Sequence, residues 1–400
     1  MASTRRFLFL QGPPGLFWPR LAAALEARGH EVRRVNLNLG DRMFWPRPGA
    51  HNYRGSFAGW RDWLSAYLCD EGVTDILYYA DRLPYHVTAL ALAREMGLGV
   101  HAIEFGYLRP DWITIEPEAM GRHSTFPRDP CRIRALAEGH PDPDLSPLYP
   151  HGFFEESWRE VTYSLLMVFG RPLYPLYRSD RYYWPVAEYL AWLGRFAWRA
   201  VAAERHEALV DACLAGKFPY NLVALQLQMD YQIRASTNYP HLEDMLDEIM
   251  ASFAAHAPLD RHLVIKTHPL DSGLELWPRR VGRLKRRHGL DARVHLVDSK
   301  RLAPLVKASR GVLLANSTVG LHAIWDAVPV LALGDAIYDM PGLTHQGGLE
   351  RFWTAPEPVD AALARDLRRA LAGHIQVRGS FYNPGGQRAA IRGILERLGA

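Results

Sequence analysis

The chain has 400 residues, of which 48% are apolar and 22% charged, with a mean hydropathy of −0.17. It exceeds one comfortable hydrophobic core, so two domains of roughly 200 residues are expected. No window approaches a membrane span of roughly 18 uninterrupted apolar residues, and the start, Met1 to Gln11, holds only a short apolar run, so neither a membrane span nor a signal peptide is expected. A net charge of +4 without a recognised motif argues against nucleic acid as partner, and three scattered cysteines, Cys69, Cys131 and Cys213, argue against a disulfide framework or a cysteine zinc site. The cytoplasm is the expected compartment.

In chain order, Phe7–Leu10 reads as a strand, Gln11-Gly12-Pro13-Pro14-Gly15 as a turn, Phe17 to Arg28 as a helix closed by Gly29, and Glu31–Leu37 as a second strand. That is a βαβ unit. A strand at Asp75–Tyr79, a helix from His86 to Glu95 and a strand at Gly99–Ile103 continue the pattern. A segment rich in Pro, Tyr, Trp and Arg, from about 122 to 210, interrupts it as a helical insertion. A second α/β pattern follows, with strands around 222–225, 262–265, 294–297, 312–314 and 328–333. The expected class is α/β and GT-B-like: two Rossmann-like doubly wound domains facing a central cleft. Domain 1 spans 1–210 and carries the insertion; domain 2 spans 211–400 and ends in C-terminal helices. Residues 387–398 have helical spacing and in such a protein could cross back onto the first domain.

In open α/β sheets ligands gather beyond the carboxyl ends of the strands. The polar residues there are Gln11 and Gly12, Asn36 to Asp41, Asp81 with Arg82, and Glu104 to Asp111 in the first half. In the second half they are Gln226, Gln228 and Asp230, Lys266-Thr267-His268-Pro269, Asp298-Ser299, and Asn316-Ser317-Thr318. The last turn, between a strand and a helix start, suits a phosphate because unpaired amides and two hydroxyls converge there; the plainer reading is an N-cap.

The segments Ile103–Trp112 (with Glu104-Phe105-Gly106 and Arg109-Pro110-Asp111), Leu225–Gln232, Lys266-Thr267-His268-Pro269 and Asn316–Gly320, with Gln11-Gly12-Pro13-Pro14 before them, resemble the motifs of the bacterial capsule polysaccharide family typified by KpsS. The match runs in order from about residue 7 to 345. The resemblance implies a β-Kdo transferase, with CMP-Kdo as donor substrate and no cofactor, building the Kdo linker on a phosphatidylglycerol-type lipid. It also implies a peripheral place on the inner face of the bacterial inner membrane, alongside other capsule synthesis and export proteins, and retention of configuration.

On that footing the donor side comprises Lys266, His268, Pro269, Asn316, Ser317, Thr318, Gln228 and Arg109, with His268 stabilising the departing CMP and Arg109 pairing with the Kdo carboxylate. Gln11, Gly12 and Asp111 fall on the acceptor side. Relatives carry a second acidic residue where this chain has Phe105, so the catalytic carboxylate is ranked Glu104, then Asp230, then Asp111. A monophosphate leaving group carries little charge, which makes a metal-free site plausible; Asp142-Pro143-Asp144 formally matches Asp-x-Asp but lies away from any strand end. Alternatives from other classes are a GT-B enzyme of another nucleotide sugar, whether UDP-sugar transferase or epimerase, and a non-catalytic component of capsule assembly. Two stretches are candidates for lipid contact, the aromatic and arginine-rich 182–199 and the basic 279–287.

Overall fold

A computed structural model of the chain describes residues 4–150, 152–230, 233 and 236–400; Tyr231 and Gln232, at the end of the Leu225–Gln232 motif, and Met1 to Ser3 lie outside the described residues. The chain forms two units. The first comprises Met1–Thr125, Pro141–Arg181 and Leu371–Ala400, the second Phe126–His140 and Tyr182–Ala370. This division differs from the one expected at 210. The last thirty residues join the first unit because the strand Gln376–Arg378, the loop after it and the helix Pro384–Leu398 supply Val377, Phe381, Tyr382, Ala390, Ile394, Leu395 and Leu398 to the core that holds Phe7, Phe9, Phe17 and Leu21. The long helix Pro185–Leu214, read as part of the first domain's insertion, belongs to the second unit.

In the first unit, β1 (Arg6–Phe9), β2 (Glu31–Asn36), β3 (His51–Asn52), β4 (Asp75–Tyr79) and β5 (Gly99–Phe105) are parallel, while β6 (Trp112–Pro117) runs antiparallel to β5. In the second, β7 (Tyr220–Ala224), β8 (His262–Lys266), β9 (Val294–Val297), β10 (Val312–Leu314) and β11 (Val330–Ala332) are all parallel. The last strand, β12 (Gln376–Arg378), adds antiparallel to β6. The orders are β12-β6-β5-β4-β1-β2-β3 and β11-β10-β7-β8-β9. Each contains the doubly wound pattern in which the first strand is central and the chain then steps outward on either side. The order reverses between β1 and β4 in one unit and between β7 and β10 in the other, the switch points where such sheets bind ligands. The central strands are largely apolar because helices cover both faces; Leu8, Ile76, Val223, Val264 and Leu313 are fully buried, whereas β2 and the edge strand β3 are mostly polar. Among the described residues no helix is long and apolar enough to cross a membrane.

Candidate functional site

At the switch point of the second unit the loops after β7 and β10 are clasped together. The Gln226 side-chain amide donates to Asn316 Oδ1 at 2.8 Å and its oxygen accepts from the Asn316 backbone N–H at 3.0 Å. The Ser317 hydroxyl accepts from the Val319 amide at 3.2 Å, and Tyr338 donates to the Ser317 carbonyl. Gly320 is required there, because a Cβ would stand 2.2 Å from the Tyr338 hydroxyl. Thr318 occupies the cap position of the helix Val319–Trp325 without a side-chain cap bond. Gln228 is buried; its oxygen caps the helix Leu242–His256 through the Leu242 amide at 2.8 Å, and its Nε2 is buried with no partner. Asp230 closes the turn after β7, its amide donating to the Leu227 carbonyl at 3.0 Å.

The neighbouring strand ends carry the charged groups. Beyond β8, Pro269 follows His268 and the turn folds back, so that the Leu270 amide donates to His268 Nδ1 at 3.1 Å. A nitrogen that accepts carries no proton, so the ring proton is on Nε2, which is a donor. Lys266 is buried at 3% exposure, and its Nζ donates to the Thr267 carbonyl at 3.2 Å. Burial lowers the Lys266 pKa, opposed by the Asp298 charge beyond β9. Two arginines of the helix Pro185–Leu214 converge on that aspartate: Arg195 Nη2 at 2.6 Å, and Arg199 through Nε at 2.8 Å and Nη2 at 3.2 Å. Arg199 also donates to the Pro269 carbonyl at 2.8 Å. The sequence reading marked Asp298 and Lys266 as strand-end candidates but placed Arg199 only in the 182–199 stretch considered for lipid contact and did not single out Arg195; both stand about seventy and a hundred residues away from their partners in an insertion of aromatic character.

The first unit holds Glu104, Arg109, Asp111, Gln11 and Gly12. Glu104 Oε1 accepts from the Phe105 amide at 3.0 Å, and its carboxylate accepts from the Tyr79 hydroxyl, whose pKa is raised well above the phenol range by burial and by the Glu104 charge. Phe105 joins an aromatic cluster: its ring is edge-on to Phe381 at 5.3 Å and tilted against Tyr382 at 6.2 Å. Tyr382 in turn donates to Glu160, a residue the sequence reading missed. Burial pushes the Glu160 carboxyl up to about 7, and Glu156 one helical turn away adds to the shift against the pull of Arg181. The only sequence signal was that pair of like charges four residues apart on the helix Phe153–Phe169. Tyr382 also lies under the Arg159 guanidinium at 5.5 Å, and Arg159 Nη1 is buried without a hydrogen-bond partner.

The remaining candidates of this unit have structural partners. Arg109 donates to the Gly106 carbonyl at 3.3 Å and lies 5.4 Å over Phe105, in a different unit from Lys266 and His268. Asp111 Oδ2 accepts from the amides of Leu148 and Tyr149, at 2.7 and 2.8 Å, and so fastens the 148–149 loop. Gln11 donates to the hydroxyls of Tyr163 and Tyr177 at 3.0 and 3.2 Å. Tyr163 donates to Asp41 at 3.1 Å and accepts from Asn38 at 2.9 Å, while buried Arg34 lies 3.4 Å from Asp41 and donates to Asn36 at 2.7 Å. Gly12 stands where a Cβ would collide with the Trp18 ring at 2.3 Å.

Asp144 of the Asp-x-Asp stretch accepts from the amide and hydroxyl of Ser146, at 2.8 and 2.9 Å, which makes it a local turn. Among the described residues no group of three or more His, Cys, Asp or Glu side chains is placed to hold a metal ion. Of the six cations in the basic stretch 279–287, three are paired: Arg280 and Arg283 bind Glu243, and Arg287 binds Asp247 at 2.8 Å.

The family described as "Capsule polysaccharide biosynthesis protein" matches residues 74–382. The chain is 33% identical over 388 residues to the "Capsule polysaccharide export protein KpsS" of Escherichia coli, covering 96% of this chain and 98% of that one. It is 32% identical over 399 residues to the "Capsule polysaccharide modification protein LipB" of Neisseria meningitidis serogroup B, covering 96% and 93%. Among solved structures it is similar to Thermosulfurimonas dismutans KpsC, beta Kdo 2,7 transferase, with a TM-score of 0.47, 15% identity and 98% of each chain covered, a likeness too distant to bear on function. The chain belongs to the capsule polysaccharide biosynthesis protein family.

Proposed function

We propose that the protein is a glycosyltransferase that moves Kdo from CMP-Kdo onto a phosphatidylglycerol-type lipid, starting the poly-Kdo linker of a capsule, without a metal or other cofactor. The observation that carries this reading is His268: its Nδ1 accepts the Leu270 amide, its Nε2 therefore donates, and it follows buried Lys266 at the end of β8. A fixed N–H donor stabilises charge as it develops on a departing phosphate, and a monophosphate asks for less neutralisation than a diphosphate. Ser317, Thr318 and the clasp of Gln226 with Asn316 supply the nucleotide side at the switch point. Kdo and the lipid come from the family resemblance.

On the acceptor side, Glu104 is the proposed nucleophile or base. Glu160, poised near neutrality, has the pKa expected of a group that trades a proton with the acceptor hydroxyl. Lipid contact is assigned to the helix Pro185–Leu214. Leu190, Leu193, Phe196 and Val201 are between 56% and 87% exposed there, whereas the basic helix Trp277–Arg287 has three of its six cations, Arg280, Arg283 and Arg287, taken by Glu243 and Asp247. Calorimetric titration with CMP and with UDP, each with and without EDTA, tests the donor. Binding of CMP over UDP that ignores EDTA and weakens in His268→Ala and Ser317→Ala is the expected result. Preference for UDP or dependence on metal would point to a sugar-diphosphate enzyme, and no binding to an assembly component.

A further inference from the structure

The charges at the ends of β8 and β9 do not balance. Lys266 has three donors, yet among the described residues it makes one hydrogen bond, to the Thr267 carbonyl, and no ion pair. The Arg195 side chain is 5% exposed, and its Nε is buried without a partner while Nη2 reaches Asp298 and, at 3.4 Å, Thr267 Oγ1. Asp298 therefore answers two guanidiniums at once and leaves Lys266 without a carboxylate of its own. The other acid nearby, Asp271, is taken up by the Gly273 amide at 2.7 Å and the Trp277 indole at 2.9 Å. Neutral donors leave the Asp271 charge in place, and it acts on Arg195 through space, so three cations face two carboxylates, only one of which, Asp298, is in direct contact, and two of the cations are nearly out of solvent. A buried, under-paired charge is costly, and a bound anion removes the cost.

We infer that the missing counter-charge is a carboxylate of the donor. Lys266, with Arg195 and Arg199, takes the carboxylate borne on the anomeric carbon of a 2-ulosonic acid, and His268 beside them takes the phosphate. The inference rests on the CMP-Kdo reading and deepens it. In a nucleotide-linked 2-ulosonic acid the carboxyl carbon and the phosphate oxygen are both bonded to the anomeric carbon, so the two anions stand close together. Lys266 and His268 stand two residues apart at one strand end, one for each anion. A neutral hexose has no anion for the first position and leaves the cations uncompensated, so the cluster selects acidic sugars. Asp298 is a positioning residue that aims both guanidiniums. Nitrogen donors to an oxyanion are charge-assisted and stronger than neutral pairs.

The test is titration of wild type, Lys266→Met, Arg199→Gln and His268→Ala with CMP, which carries the phosphate alone, and with freshly prepared CMP-Kdo, which carries both anions. Loss of a charge-assisted contact predicts that Lys266→Met and Arg199→Gln weaken CMP-Kdo about tenfold or more and change CMP by no more than about twofold, whereas His268→Ala weakens both. Ligand-free Lys266→Met should also melt above wild type, because methionine removes an under-paired buried charge at similar volume. Equal weakening of CMP and CMP-Kdo, or variants that bind like wild type, would overturn the inference while leaving the donor reading intact. A wild-type protein that binds neither nucleotide overturns both, and a lowered melting temperature in Lys266→Met overturns the claim that the cation is held for a ligand.

Discussion

The two sheets share the order of their parallel strands, but the polar residues around β1 and β2 in one and beyond β8 and β9 in the other are treated in opposite ways. In the first unit the groups after β1 and β2 form a closed network: Gln11, Arg34, Asn38, Asp41 and Tyr163 satisfy one another at distances from 2.9 to 3.4 Å. In the second unit, beyond β8 and β9, Lys266 and Arg195 retain unused donors although nearly buried. A network that is complete rigidifies the loop that carries it, and one that is incomplete waits for a partner. The comparison separates polar residues that hold the fold from those that hold a ligand, although both sets sit where the sequence alone marks a site.

The sharpest way to break this contrast is at the chemistry itself. Glu104→Gln and His268→Ala should each lower the transfer rate by about 10² to 10⁴ with the melting temperature nearly unchanged, read by Kdo transfer and by thermal unfolding of the same preparations. Asp41→Ala should do the reverse. It strips the buried Arg34 of its carboxylate and two hydroxyl or amide donors of their acceptor, so about 3–5 kcal/mol of stability should be lost in denaturant titration. If Asp41→Ala proves harmless to stability and abolishes transfer instead, the first unit's network is a site and the contrast falls.

A smaller effect concerns Glu160. Its pKa is raised from 4.5 to about 7, so the folded state holds the proton more tightly than the unfolded chain. The stability this contributes is present in full below about pH 4.5 and is lost as pH rises through about 7. Melting temperature should therefore fall across that window, and Glu160→Gln should flatten the fall; the same variant should remove an inflection near 7 from the pH profile of transfer. Both curves unchanged would leave Glu160 as packing. The smallest effect expected is on the surface: Leu193→Glu with Phe196→Glu should weaken sedimentation with anionic liposomes several-fold, while Arg287→Ala, whose partner is Asp247, should leave it within about twofold. Equal loss in both would return the basic helix as the lipid surface.

Much of the fold was legible because parallel strands covered on both faces must be apolar throughout. Runs such as Leu222–Leu225 and Val312–Leu314 therefore stood out, and the residues just past them, Gln226, Lys266, His268 and Asn316, could be named at once. The antiparallel additions were not legible. Trp112–Pro117 is a short strand that begins only at the last residue of the Ile103–Trp112 motif, and Gln376–Arg378 is three residues long, with its pairing to Thr114 and Trp112 more than 260 positions away in the chain. The domain boundary moved for the same reason. Helical spacing in 384–398 marks an amphipathic helix, but periodicity does not name the sheet that accepts its apolar face.

The sequence by itself determined most of the parallel strands, their order, the α/β class, and the set of polar residues at strand ends, since each of these depends on local spacing and burial periodicity. Only the tertiary structure decided which of those residues are spent on the fold. It turned Asp111 and Gln11 into structural partners, brought Arg195 and Arg199 onto Asp298, and raised Glu160 toward neutrality. Those outcomes depend on desolvation and on pairings between residues far apart in the chain, and neither quantity is carried by any short stretch of sequence.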